Sequence, residues 1–221
     1  MEASAADPAR TASPSAAGPT TPRSASPSAR AADAQERLYR AAVQEFSVKG
    51  FHGTSTRDIA AAAGMSPAAI YVHHPSKEDI LYRISRRGHE SVLGVVRAAA
   101  ESSIDPVERL RAVVREFVVF HASGHTSARI VNYELHALAP EHRAEIEALR
   151  HAVDGEMQQV VRAGAEAGVF SCPEPRVAAL ALVSLGVDVA RWYRDEGGWT
   201  PAQLGEHYAD LALRVVGART G

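Results

Sequence analysis

Large apolar runs are missing from this 221-residue chain: none approaches the 18 residues that a membrane-spanning helix needs, so no transmembrane segment is expected. Cysteine is nearly absent. Cys172 alone cannot form an intrachain disulfide, a composition that fits a reducing compartment. Its place between Ser171 and Pro173, in an expected loop, does not suggest a nucleophile. The N-terminus lacks a basic stretch followed by an apolar one, so no secretory signal is expected and a cytoplasmic location is. Strong charge of one sign is also missing. The net charge is −2, divided as +1 over residues 1–32, +1 over 33–90 and −4 over 91–221. Nucleic-acid binding therefore cannot be read from charge alone and must rest on arrangement. There are only two lysines, against 22 arginines.

No strand alternation and no internal repeat is evident. Helical periodicity fills the chain from Asp33 onward, and the expected fold class is all-α with about nine helices. Three divisions follow. Residues 1–32 are mostly Ala, Ser, Pro and Thr and carry too little apolar surface to fold, so they read as a disordered tail. Residues 33–82 contain three short helices. Asp33 with Glu36 has capping-box spacing, Ser55 with Asp58 marks a second helix start, and Gly64 ends that helix. Ser66-Pro67 opens a third, and Ser76 opens a longer fourth. Residues 83–221 hold the remaining helices, among them 176–193, apolar almost all round, and 201–216, opened by Thr200, Pro201 and Gln203. A helix apolar on every side is buried on every side, which in a chain of this size implies a second copy.

The stretch TRDIAAAAGMSPAAIYVHH has the form of a helix-turn-helix. Ile59, Ala60 and Ile70 supply its core, Ala63 is small where the helices approach, and Gly64 makes the turn. The outer face of residues 66–73 is then free to enter a major groove. Adjacent histidines such as His73 and His74 point about 100° apart on a helix and do not make a metal site. His121 and His125 have i, i+4 spacing, but Ser123 and Gly124 are expected to end the helix between them. No phosphate loop, no His-Glu-x-x-His and no G-x-S-x-G is present, so neither an enzyme nor a cofactor is expected.

With its flanks KGFHGTS and PSKEDIL, residues 33–82 resemble the DNA-binding domain of the TetR family of bacterial regulators, and the rest follows that family's layout. The resemblance implies a homodimer on a partly palindromic, double-stranded operator, released by a small ligand, with an N-terminal helix-turn-helix domain and a C-terminal helical ligand-binding and dimerisation domain. It implies DNA contacts at Ser55, Thr56, Ser66, Pro67, Ala68, Ala69, Tyr71, His73 and Lys77. Ala68 and Ala69 cannot make bidentate hydrogen bonds, so they suit thymine methyls or close approach. It also implies an effector cavity among Phe117, Phe120, His121, Asn132, Tyr133, His136 and Met157, with Asn132 and His136 as polar candidates. The last two helices, with ARWYRDEGGWTPAQLGEHYADLALRVV, resemble a branch that often senses acyl-CoA thioesters, and would form a four-helix dimer interface. Arg191 and Arg194 are read as salt-bridging to Asp188 or Asp195, or else as contacts for a CoA phosphate. An activator, rather than a repressor, is the alternative. The family usually places a large apolar residue at the position of His74. The imidazole here must either pack neutral against the fourth helix or turn outward to a phosphate.

Overall fold

Alanine and proline placement explains where the helices of this protein begin. The computed structural model describes residues 27–218. The tail expected over residues 1–26 lies outside the described residues. Residues 27–32, assigned to that tail from their composition, are helical instead. The first helix, α1 (Pro27–Gly53), starts at a proline and runs through Ala29, Ala31 and Ala32, the best helix formers available. Asp33 is therefore not a cap. It sits inside the helix and pairs with Arg37 one turn on. The chain kinks at Gly50 (φ 73°, ψ 164°).

The next two helices are α2 (Thr56–Ala63) and α3 (Pro67–His73). Ser55 and Asp58 form the capping box at the head of α2, and Gly64 closes it in the left-handed region at φ 65°. Ser66 caps α3 through the Ala69 N–H, with Pro67 at its first position. Ile59, Ala60, Ala63 and Ile70 are buried, as the helix-turn-helix reading requires.

A long fourth helix, α4 (Lys77–Glu101), leaves this unit and enters a larger bundle. The bundle comprises α5 (Pro106–Ser123), α6 (His125–Tyr133), α7 (Pro140–Glu166), α8 (Pro175–Trp192) and α9 (Pro201–Val215), with a 3-10 turn at Leu135–Ala137. Nine α-helices are thus present among the described residues, and the only β feature there is an isolated bridge between Phe170 and Ala218. No helix is long and apolar enough to cross a membrane among the described residues.

Two buried clusters hold the chain. One joins α1–α3 and the start of α4 to Ile130, Val131, Leu138 and Ile146, so this N-terminal unit packs directly on α6 and α7. The other fills the bundle around Phe117, Met157 and Val161. Within it α5 and α9 approach closely at Gly205. A Cβ there would stand 3.0 Å from the Arg115 carbonyl oxygen and 2.8 Å from a Val119 methyl. A backbone carbonyl cannot step aside, so Gly205→Val is expected to cost about 2–3 kcal/mol of stability, read as a lowered thermal midpoint.

Candidate DNA interface and effector cavity

The outer face of α3 is built to stay exposed. Ser66, Pro67 and Ala68 are exposed and Ala69 half-buried, a slim tip without hydrogen-bonding side chains beyond the Ser66 cap. Tyr71 is 51% exposed, and its hydroxyl lies 2.7 Å from that of Thr56. This bond ties the recognition helix to the head of α2 and sets two hydroxyls side by side. His73 ends α3.

Two expected contacts turn out to be engaged within the protein. Ser55 donates its hydroxyl to Asp58 and caps α2 through the Asp58 N–H. Asp58 also faces Lys49 at 3.0 Å, and these hydrogen bonds, Ser55 first, hold its carboxyl well below the usual range. The helix N-terminus, rather than the Ser55 hydroxyl, is what remains to offer a phosphate. Lys77 donates to the Phe51 carbonyl at 2.6 Å and the Thr54 carbonyl at 2.7 Å, with its ammonium 4.3 Å from the centre of the Phe51 ring. It clamps the end of α1 to the start of α4, leaving one N–H for a phosphate.

Two exposed neighbours, Val72 and Arg57, were not singled out by sequence reasoning. Val72 is 76% exposed on the recognition helix, an apolar side chain that a core has not claimed. Arg57 is exposed in the first turn of α2. Its signal was plain: a cation beside the residues already singled out. His74 is settled as the packed alternative. It is 4% exposed, its Nδ1 lies 2.8 Å from Asp79, and its ring meets Tyr39 edge-on at 5.9 Å.

A cavity of about 540 Å³ lies between α4, α5, α6, α7 and α8. Phe117, Phe120, His121 and Asn132 line it. Met157, Tyr133 and His136 do not. Met157 continues the face of Arg150 and Val153 along α7 but is fully buried in the bundle core, beyond the end of the cavity. Tyr133 is exposed at the end of α6, and His136 sits on the 3-10 turn. Asn132 and His136 are four residues apart but do not share a helix face, because α6 stops at Tyr133. His125, likewise, begins a new helix after Gly124 and does not share a face with His121.

The lining also includes His89, Arg150, Glu116, Asp154, Val92, Val183 and Val187, which sequence reasoning left out. His89 was findable, since it continues the stripe of Ser85, Val92 and Val96 down α4. Arg150 donates to the Asn132 side-chain oxygen at 3.2 Å, across from α7 to α6. Burial pushes the His121 imidazole down to about 4 and lowers His89 as well, with the positive charge of Arg150 acting in the same direction on both. Both rings are neutral near neutrality. As pH falls from the ordinary histidine range toward about 4, the unfolded chain takes up a proton that the folded cavity refuses, so stability drops over that window. Among the described residues no group of three or more His, Cys, Asp and Glu is placed to hold a metal. Asp188 pairs with Arg191 at 2.6 Å, whereas Arg194 donates to the Arg191 and Tyr193 carbonyls.

Residues 38–84 match the model described as bacterial regulatory proteins, tetR family, and residues 103–216 match the tetracyclin repressor-like C-terminal domain. The chain is 29% identical over 181 residues to the HTH-type transcriptional repressor KstR2 of Mycobacterium tuberculosis, covering 80% of this chain and 89% of that protein. It is 28% identical over 159 residues to the HTH-type transcriptional activator FasR of Mycolicibacterium smegmatis, covering 71% and 70%. A crystal structure of a tetR-family regulatory protein from Rhodococcus RHA1 superposes with a TM-score of 0.80 at 41% identity, over 85% of this chain and 98% of that one. With an exposed recognition helix, a second domain around a cavity and both halves matched, the chain belongs to the TetR family of bacterial transcription regulators, DNA-binding proteins and not enzymes.

Proposed function

We propose that this protein is a ligand-responsive repressor that binds a partly palindromic operator as a homodimer and is released when a small apolar or acyl-CoA-type effector enters the cavity. One observation carries the reading: α4 begins beside the recognition helix, at Lys77 and Asp79, and lines the cavity three turns later with Gly88, His89, Val92 and Val95. A ligand there acts directly on the helix that carries the DNA-binding unit. It releases DNA to the extent that it prefers the conformation in which the two recognition helices no longer match successive major grooves. Such a regulator works in the bacterial cytoplasm, where the operator is.

The cavity suits the apolar part of an effector, with walls of Val, Phe and Ala and a few polar groups to orient it. Its volume leaves the nucleotide of a coenzyme A thioester outside. The activator reading is supported by similarity to FasR, as the repressor reading is by similarity to KstR2. A reporter assay with the gene deleted separates them: a repressor's target rises and an activator's falls.

The operator-binding test uses fluorescence anisotropy on DNA from upstream of the protein's own gene. Tyr71→Ala is expected to weaken binding about tenfold while leaving the melting curve in place, because Tyr71 is exposed and holds only Thr56. Unchanged affinity would remove α3 from the interface. Mass spectrometry of what co-purifies, followed by addition of that compound to the complex, tests the effector.

A further inference from the structure

His89 and His121 are buried polar rings in an apolar cavity, 5% and 3% exposed, and each uses only one of its nitrogens within the protein. The His89 Nδ1 lies 2.8 Å from the Ser85 carbonyl oxygen, and the His121 Nδ1 lies 2.8 Å from the Phe117 carbonyl oxygen. A carbonyl oxygen only accepts, so both Nδ1 atoms carry the proton. In a neutral ring the other nitrogen, Nε2, is then a bare acceptor. Among the described residues neither Nε2 has a hydrogen-bond partner. Two fixed acceptors on neighbouring helices, α4 and α5, therefore border the same cavity.

The cavity's charge narrows what they accept from. Its lining carries two carboxylates, Glu116 and Asp154, against the single guanidinium of Arg150. An anionic headgroup gains little there, and an ammonium would have to be held beside Arg150. A neutral hydroxyl meets neither objection.

We infer that His89 and His121 are the specificity-determining residues of this cavity, and that they accept hydrogen bonds from a neutral hydroxyl on an otherwise apolar effector. This rests on reading the cavity as the effector site. A buried acceptor left without a donor is costly, so a ligand that displaces water from these nitrogens must reproduce the bond or bind more weakly. Discrimination against a molecule lacking the hydroxyl follows from the same penalty.

The test uses 1-octanol and heptyl methyl ether, isomers of one formula that differ in having a hydrogen-bond donor. Calorimetry on the full chain is expected to show the alcohol binding about tenfold more tightly than the ether. In the His89→Phe and His121→Phe double variant this difference is expected to collapse, with ether binding maintained. Nitrogen-15 histidine spectra of the unaltered protein near neutral pH give a second readout, independent of whether the variant folds. Both Nε2 signals should lie in the unprotonated range and shift with the alcohol but not with the ether. Equal affinities, no binding of either isomer, or a proton on Nε2 overturns the inference. An alcohol that binds selectively yet does not release operator DNA upholds the hydroxyl site and instead sinks the effector reading.

Discussion

Asp79→Ala is expected to cost about 3 kcal/mol of stability, concentrated in the DNA-binding half. The Asp79 carboxylate accepts from His74 at 2.8 Å and from Arg83 at 3.0 Å, and its backbone N–H is capped by the Ser76 hydroxyl at 3.0 Å. Arg83 is half-exposed and can turn to water when its partner goes. His74 cannot: it is buried against Tyr39 and would keep a polar nitrogen with nothing to bond. The loss therefore lies mainly with the imidazole. That attribution has its own check. Adding His74→Phe to Asp79→Ala removes both polar partners together, and the double variant should be more stable than Asp79→Ala alone. Chemical denaturation of the four proteins in the cycle measures the coupling. A single-variant loss below about 1 kcal/mol would mean that the pair is not a structural element.

Leu180→Arg with Leu185→Arg should turn the proposed dimer into a monomer without disturbing the helices. On α8, Val177, Leu180, Leu185 and Trp192 are exposed in the single chain, together with Ala181 and Ser184, and form one stripe at helical spacing. Ala178, Ala179, Leu182 and Val189 on the other face are buried. The helix is thus not covered on all sides within one chain, and its apolar outer stripe is what a second copy would cover. Two arginines per copy would meet two more across a two-fold interface, and like charges there repel in a desolvated setting. Sedimentation should show half the mass, circular dichroism should be unchanged, and operator affinity should fall by two orders of magnitude or more, since one recognition helix reaches only one half-site. A variant that still sediments as a dimer would place the interface elsewhere.

Much of the architecture can be read from local chemistry. Ser55 with Asp58, Thr200 with Gln203, and prolines at the first positions of α3, α5, α7, α8 and α9 announce helix starts through bonds that span three residues or fewer. Asp33 misleads because the same residue type caps a helix at its start and pairs at i, i+4 within one. Only the alanines upstream decide between these roles. The cavity is less legible, since periodicity gives the buried face of a helix but not what stands opposite. Met157 and His89 both lie on buried faces, yet only His89 reaches the cavity. The Lys77 clamp joins residues 23 and 26 positions apart, and nothing in its neighbourhood in the sequence signals it.

The position of α7 has a mechanical consequence. Near its N-terminus, Glu78 on α4 accepts from the Ala139 N–H at 2.9 Å and lies 2.8 Å from His142, whose ring stacks on Tyr82 at 3.8 Å. Tyr82 in turn donates to Glu145 at 2.5 Å. Eight residues beyond His142, about 12 Å along the axis, Arg150 borders the cavity, and the 27-residue helix also packs on α8. The helix is thus pinned beside the DNA-reading unit at one end and held in the bundle core by Val153, Met157, Val160 and Val161 beyond Arg150. Whatever fills the cavity therefore touches a helix whose other end is bonded to the first turn of α4, a second rigid connection between the two halves beside α4 itself.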